Sequence, residues 1–168
     1  DFVSDFTSGA DGDGRDANPQ DPGDECRGRA SSYHGTHVGG TVGAVITNDG
    51  RGVAGGAWNV GIVPVRAMGR CGGTLSDIID AIRWAAGAGP LETDTGQQVV
   101  NPNPADIINM SLSLSGSCPS AMQAAIDAAV ARGTVVVVAA GNQGRPARNV
   151  APANCNNVVV VGAGDYLG

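Results

Sequence analysis

Only two imidazoles occur in this 168-residue chain, His34 and His37, within the run Tyr33-His-Gly-Thr-His-Val-Gly-Gly-Thr-Val-Gly-Ala-Val-Ile46. They are the side chains best suited to move protons near neutral pH. Three residues apart, they fall on adjacent parts of a helix surface. Such a pair can be two structural histidines, half of a metal site, or a general base with a packing residue behind it. Zinc motifs on helices favour a spacing of four with a glutamate between, and no glutamate stands here. At a helix start the dipole disfavours positive charge, which suits an imidazole there to accept a proton.

A second chemistry needs a donor rather than a base. Residues 134–140 hold four successive valines and exit through Ala139-Ala-Gly-Asn142. An asparagine amide beyond a strand end can donate to a developing oxyanion, or simply form a turn. Another apolar run, 106–113, passes into Asn109-Met-Ser-Leu112. A third chemistry is suggested by residues 11–25, where six carboxylates are interleaved with glycine and proline. Asp11, Asp13, Asp16, Asp21 and Asp24 are candidate ligands for a hard cation such as calcium. A solvated acidic loop is the alternative.

These residues need elements to hold them. The run 33–46 reads as a helix whose Val38, Val42 and Val45 form a buried face. Its glycines, Gly39, Gly40 and Gly43, imply close approach by another backbone or a substrate. Residues 1–6 suggest a short strand, 47–52 a turn and 60–68 a buried strand. The run 76–86 reads as a helix with Ile78, Ile79, Ile82, Trp84 and Ala85 inward and Asp77, Asp80 and Arg83 outward. After a loop to residue 104, 106–113 is a strand and 119–132 an amphipathic helix closed by Gly133. The runs 134–140 and 158–161 are strands of the kind buried on both faces. Helices alternating with apolar strands predict an α/β fold, an open, mostly parallel sheet with helices on both faces. Functional groups in such sheets gather beyond the strands' carboxyl ends.

Composition narrows the function. One domain with a true core fits this length. Aromatic residues make up only 4% while 27 residues are glycine, so Val, Ile, Ala and Leu must build the interior. A net charge of −6, with all ten basic residues arginine, argues against nucleic acid as a partner. No apolar run is long enough for a membrane span, and no membrane partner is expected. The opening Asp-Phe-Val-Ser, without a signal peptide, is what a processed or cleaved product would show. Cys26, Cys71, Cys118 and Cys155 lie far apart, a spacing better suited to disulfides than to zinc or thiol catalysis. Of three pairings, Cys26–Cys71 with Cys118–Cys155 is favoured, each closing roughly 40 residues and worth about 4 kcal/mol in loop entropy. Disulfides imply a secreted, extracellular protein; four buried thiols are the alternative.

In order along the chain, several stretches resemble the subtilisin-like serine endopeptidases. His34-Gly-Thr-His-Val-Gly-Gly-Thr is similar to that family's histidine motif, with Gly39 where alanine is usual. Gly52-Val-Ala-Gly55, Val63-Pro-Val-Arg-Ala-Met, Asn109-Met-Ser-Leu, Ala139-Ala-Gly-Asn-Gln-Gly144 and Val160-Val-Gly-Ala163 match later motifs. The cysteines and acidic loop look most like the secreted, disulfide-bonded bacterial branch. The resemblance implies His34 as general base and Asn142 as oxyanion donor. It implies Ser111, Leu112, Ser113, Ala140 and Gly141 as walls of the primary specificity pocket. Gly72 and Gly73 would offer main-chain pairing to an extended polypeptide substrate.

The family's aspartate stands in Asp-Thr-Gly or Asp-Ser-Gly before the histidine, and its serine in Gly-Thr-Ser-Met-Ala after the asparagine. Neither stands in its place here. Residues 1–168 are therefore expected to be the middle of a catalytic domain, partnered by the remaining segments of that domain and inactive alone. A non-catalytic binding or structural module on the same fold is the alternative reading.

Overall fold

The computed structural model describes residues 1–44 and 50–165. The chain divides into two compact units, residues 1–78 with 93–96 and residues 79–92 with 97–168. Among the described residues, no helix is long and apolar enough to cross a membrane.

In the first unit Phe2 and Val3 are buried. The strand expected over 1–6 gives way to α1 (Phe6–Gly9), because the Asp5 carboxylate accepts the Ser8 amide at 2.7 Å and caps a short helix. α2 (His34–Gly43) begins after Tyr33, which has a left-handed φ of 47° and makes no side-chain cap. It ends at Gly43; Val45, Ile46 and part of the expected turn over 47–52 lie outside the described residues. The carbonyls of Thr41 and Val42 accept the amides of Gly56 and Ala57, both at 2.9 Å, which satisfies two groups at the helix end. That contact requires the glycines on both sides. A Cβ on Gly55 would lie 2.4 Å from the Ala44 nitrogen, and one on Gly43 would lie 2.8 Å from Ile62 Cδ1. Gly39 and Gly40 have no such neighbour within 4 Å. The buried face expected along α2 is not realised: none of its residues is buried, and Val42 is 42% exposed.

Residues 60–68 form no strand, contrary to expectation, and Val60, Ile62 and Val63 are exposed. A strand needs a partner along its length. Here Phe2 N–H to Arg66 O, at 2.8 Å, joins the segment to the start of the chain without extending into a ladder. Arg66 itself is buried, donating to the carboxylates of Asp1 and Asp11 and to the Gly9 carbonyl.

α3 (Leu75–Ala85) buries Ile78, Ala81, Ile82 and Ala85 at helical spacing. Asp77, expected outward, is buried instead. Its carboxylate is compensated by Arg15 at 2.7 Å and by the Ser4 amide and hydroxyl at 3.3 and 3.2 Å.

The second unit holds the strands. β1 (Leu91–Glu92) and β2 (Gln98–Val99) pair antiparallel inside the stretch expected to be loop. β3 (Ile107–Met110), β4 (Leu114–Ser115), α4 (Ser120–Val130), β5 (Val135–Ala139), β6 (Val150–Ala151) and β7 (Val159–Val161) follow. A parallel sheet is formed in the order β3-β5-β7, with Ile108 beside Val136 and Val138 beside Val160. The fold is α/β, as expected. α4 packs against β5, burying Met122, Ala125, Ile126 and Ala129. Met122 and Ile126 are fully buried, each worth about 1.5–3 kcal/mol.

β5 is not buried on both faces. Ile108, Met110, Val136 and Val138 are covered, while the alternate residues Ile107 and Val135 are 64% and 47% exposed and Val159 is exposed too. No described residue covers that second face in the way the valine run anticipates.

Candidate active site

His34 is the first residue of α2, where backbone N–H groups lack partners within the helix. Its side chain is exposed and meets no hydrogen-bond or charge partner among the described residues. His37, expected to pack, is exposed as well; its carbonyl accepts the Thr41 hydroxyl at 3.1 Å. His37 is therefore surface in this chain.

In the second unit, β3 and β5 end side by side, their last paired residues being Met110 with Val138. Beyond β5, Ala140 N–H donates to Val161 O at 2.9 Å and holds the strand exit against β7. Gly141 then turns with φ 94°; a Cβ there would stand 2.5 Å from Gln143 Oε1 and 2.9 Å from Val150 Cγ1. Asn142 emerges exposed, its amide without a partner among the described residues. Gln143 Nε2 donates to Ser113 Oγ at 3.0 Å, and Asn109 Nδ2 donates to Ser111 Oγ at 3.0 Å. Ser111, Leu112, Ser113, Ala140 and Gly141 thus lie around two neighbouring strand ends. Two features were not read from the sequence: the Gln143 contact and the ladder of β4 with β6, which pairs Ser115 with Val150.

Gly72 and Gly73 follow the turn at Gly69. Gly72 spends its N–H and C=O on Gly69, at 3.2 and 2.9 Å, whereas Gly73 makes no such bond. Cys71 in this turn is bonded to Cys26, with Cα atoms 5.0 Å apart, and Cys118 is bonded to Cys155 at 5.2 Å. Both expected bridges are present.

Most carboxylates of the acidic loop already have partners in the protein. Asp11 pairs with Arg66, the Asp16 carboxylate accepts the Asn18 amide at 2.9 Å, and that of Asp21 accepts the Gly23 amide at 2.9 Å. The Ser32 hydroxyl and amide hold the Asp24 carboxyl below its ordinary pKa. Among the described residues, no three acidic, histidine or cysteine side chains converge to hold a metal ion, so the five aspartates do not fit a shared carboxylate cage. Asp13 is exposed and makes no such contact.

An Asp-Thr-Gly tripeptide does occur at Asp94-Thr95-Gly96, but it follows the histidine in the chain and lies between β1 and β2. Asp94 lies against Gly14, where a Cβ would fall 1.6 Å from its Oδ2.

Polar side chains beyond the carboxyl ends of a parallel sheet are the arrangement of an open α/β protein with a site at the strand ends. The family is more specific. The subtilase family model matches residues 4–166, and the chain belongs to that family. It is 53% identical to an extracellular protease of Xanthomonas campestris, over 97% of this chain and 29% of that protein. It is 43% identical to an extracellular basic protease of Dichelobacter nodosus, over 97% of this chain and 28% of that protein. A solved protease structure from Pseudoalteromonas arctica superposes with a TM-score of 0.83 at 50% identity, covering 95% of this chain and 48% of that one. The chain thus spans less than half the length of each.

Proposed function

We propose that this chain is the central part of the catalytic domain of a secreted serine endopeptidase that cleaves polypeptides. The observation that carries the reading is the pair of uncommitted, exposed side chains: His34 at a helix start and Asn142 at a parallel strand end, in a member of the subtilase family. In this reading a serine from a segment outside the sequence attacks the substrate carbonyl. His34 takes the serine proton and returns it to the leaving amine. The Asn142 amide donates to the oxyanion that forms as the carbonyl becomes tetrahedral. Ser111, Leu112, Ser113, Ala140 and Gly141 wall the pocket for the residue before the cleaved bond, and Gly73, whose backbone groups are not spent on the turn as those of Gly72 are, pairs with the substrate main chain.

The uncovered faces support the need for further segments. Among the described residues, the apolar row Ile107, Val135 and Val159 stays exposed, and a Cβ on Gly39 or Gly40 would meet nothing within 4 Å. Calcium at the acidic loop is part of the proposal in a reduced form. Asp13, with the spare oxygen of Asp16, would act with carbonyls and water, since calcium takes six to eight oxygens of mixed kind.

The test is labelling with a fluorophosphonate serine probe, read by intact mass. The complete enzyme should gain one probe adduct, and its His34→Ala variant should lose both labelling and peptide hydrolysis. A preparation whose mass matches residues 1–168 alone should remain unlabelled. Labelling of that preparation would overturn the division of the site between segments.

A further inference from the structure

The loop after Asn142 leads to an open cavity of about 520 Å3, lined by Gly116, Ser117, Arg145, Arg148 and Asn149, that the catalytic reading does not use. Its backbone wall is fixed. Gly116 N–H donates to Asn149 O at 3.2 Å, directly beyond the Ser115–Val150 pair of β4 and β6. The Asn154 side-chain amide donates to the carbonyls of Gly116 at 2.8 Å and Arg148 at 3.2 Å, clamping both rims. Pro146 leads into a single 3-10 turn, Ala147–Asn149, which spaces the two arginines around the opening.

Charge is the informative feature. Arg15 and Arg66 each meet a carboxylate. Arg145 and Arg148 meet none among the described residues, as is true of Arg27, Arg29, Arg70, Arg83 and Arg132, but these two stand together on the wall of one cavity. Two unneutralised guanidinium groups on a braced concavity suit a carboxylate, whose two oxygens match the planar donor fork. Ser113, in the proposed pocket wall, and Gly116, in the cavity wall, flank the two-residue strand β4 on either side, so the pocket and the cavity lie at most about 10 Å apart along the chain. An extended peptide in the proposed pocket would carry a nearby side chain over this opening.

We propose that the cavity is a subsite for an acidic side chain of the peptide substrate, a few residues from the cleaved bond. This rests on the endopeptidase reading. The test uses the complete enzyme and peptides that differ only by Glu or Gln, the change being walked along the substrate. At one position Glu should raise kcat/KM over Gln by about three- to tenfold at low ionic strength, with the advantage shrinking as salt is added. The Arg145→Gln/Arg148→Gln double variant should bring that ratio to near one, and the Arg145→Lys/Arg148→Lys variant should keep part of it. Each ratio is internal to one preparation, so partial loss of folded enzyme cancels. A ratio near one at every position in the wild type, or a preference unchanged in the glutamine variant, would overturn the subsite. Inhibition by free glutarate without any Glu preference would assign the cavity to free anions and overturn it too. If none of the peptides is cleaved by the wild type, the endopeptidase reading fails, and the subsite with it.

Discussion

The side-chain amide of Gln143 donates to the hydroxyl of Ser113 at 3.0 Å, tying the loop that carries Asn142 to the segment between β3 and β4. Asn142 is the adjacent residue, so its orientation depends on this bond and on the turn at Gly141.

In the complete enzyme, Gln143→Ala should lower kcat by about two- to tenfold, the worth of one net hydrogen bond, with little change in KM. Combined with Asn142→Leu it should add almost nothing, since a positioning bond has no effect once the positioned group is gone. Steady-state kinetics of the three variants check this. Fully additive losses would assign Gln143 a role of its own.

Asp77 gives a pH prediction. Burial acts to raise its pKa, but hydrogen bonds from Arg15, Thr74 and Ser4 outweigh it and hold the carboxyl below its ordinary value of 3.8. A folded-state pKa below the unfolded one gives stability that is present above the unfolded value and lost as pH falls through the folded one. Asp77→Asn should therefore cost about 3 kcal/mol near neutral pH, by stripping the partner from Arg15. The difference from wild type should begin to shrink as the pH falls below 3.8, and the wild-type advantage should be lost as the pH falls on through the lowered folded-state pKa. Denaturant unfolding across that range measures it; a pH-independent difference would mean that packing, not charge, sets the cost.

If calcium occupies the acidic loop, a chelator should lower the melting temperature of the complete enzyme and speed proteolysis near residues 11–25, with both restored by added calcium. Unchanged melting and cleavage would leave Arg66 and the loop's own amides as its whole support.

The elements legible in the sequence were those whose order is local. α3, α4 and β5 announce themselves by apolar spacing, and Gly133 closes α4 because a left-handed residue is needed there, its φ being 91°. Pairing is not local. Residues 60–68 read as a strand yet have no ladder, while β4 and β6, two residues each, exist because distant segments meet. Asp77 read as an outward charge because no helix pattern reveals that Arg15 will reach it. The roles proposed for His34 and Asn142 rest on motifs in the sequence. The support around Asn142, from Gln143 and Gly141, required the strand ends to be brought together first.

The central claim is that Asn142 acts on the transition state. An oxyanion donor bonds the tetrahedral intermediate far more strongly than the planar substrate, so its loss falls on kcat. In the complete enzyme, Asn142→Leu should lower kcat by roughly 100- to 1000-fold, a magnitude carried over from removal of the oxyanion asparagine of subtilisin, with KM nearly unchanged. Steady-state kinetics on protein shown to be folded by its melting curve decide the matter. A variant that melts lower but keeps wild-type kcat in its folded fraction would make Asn142 a turn residue and contradict the account.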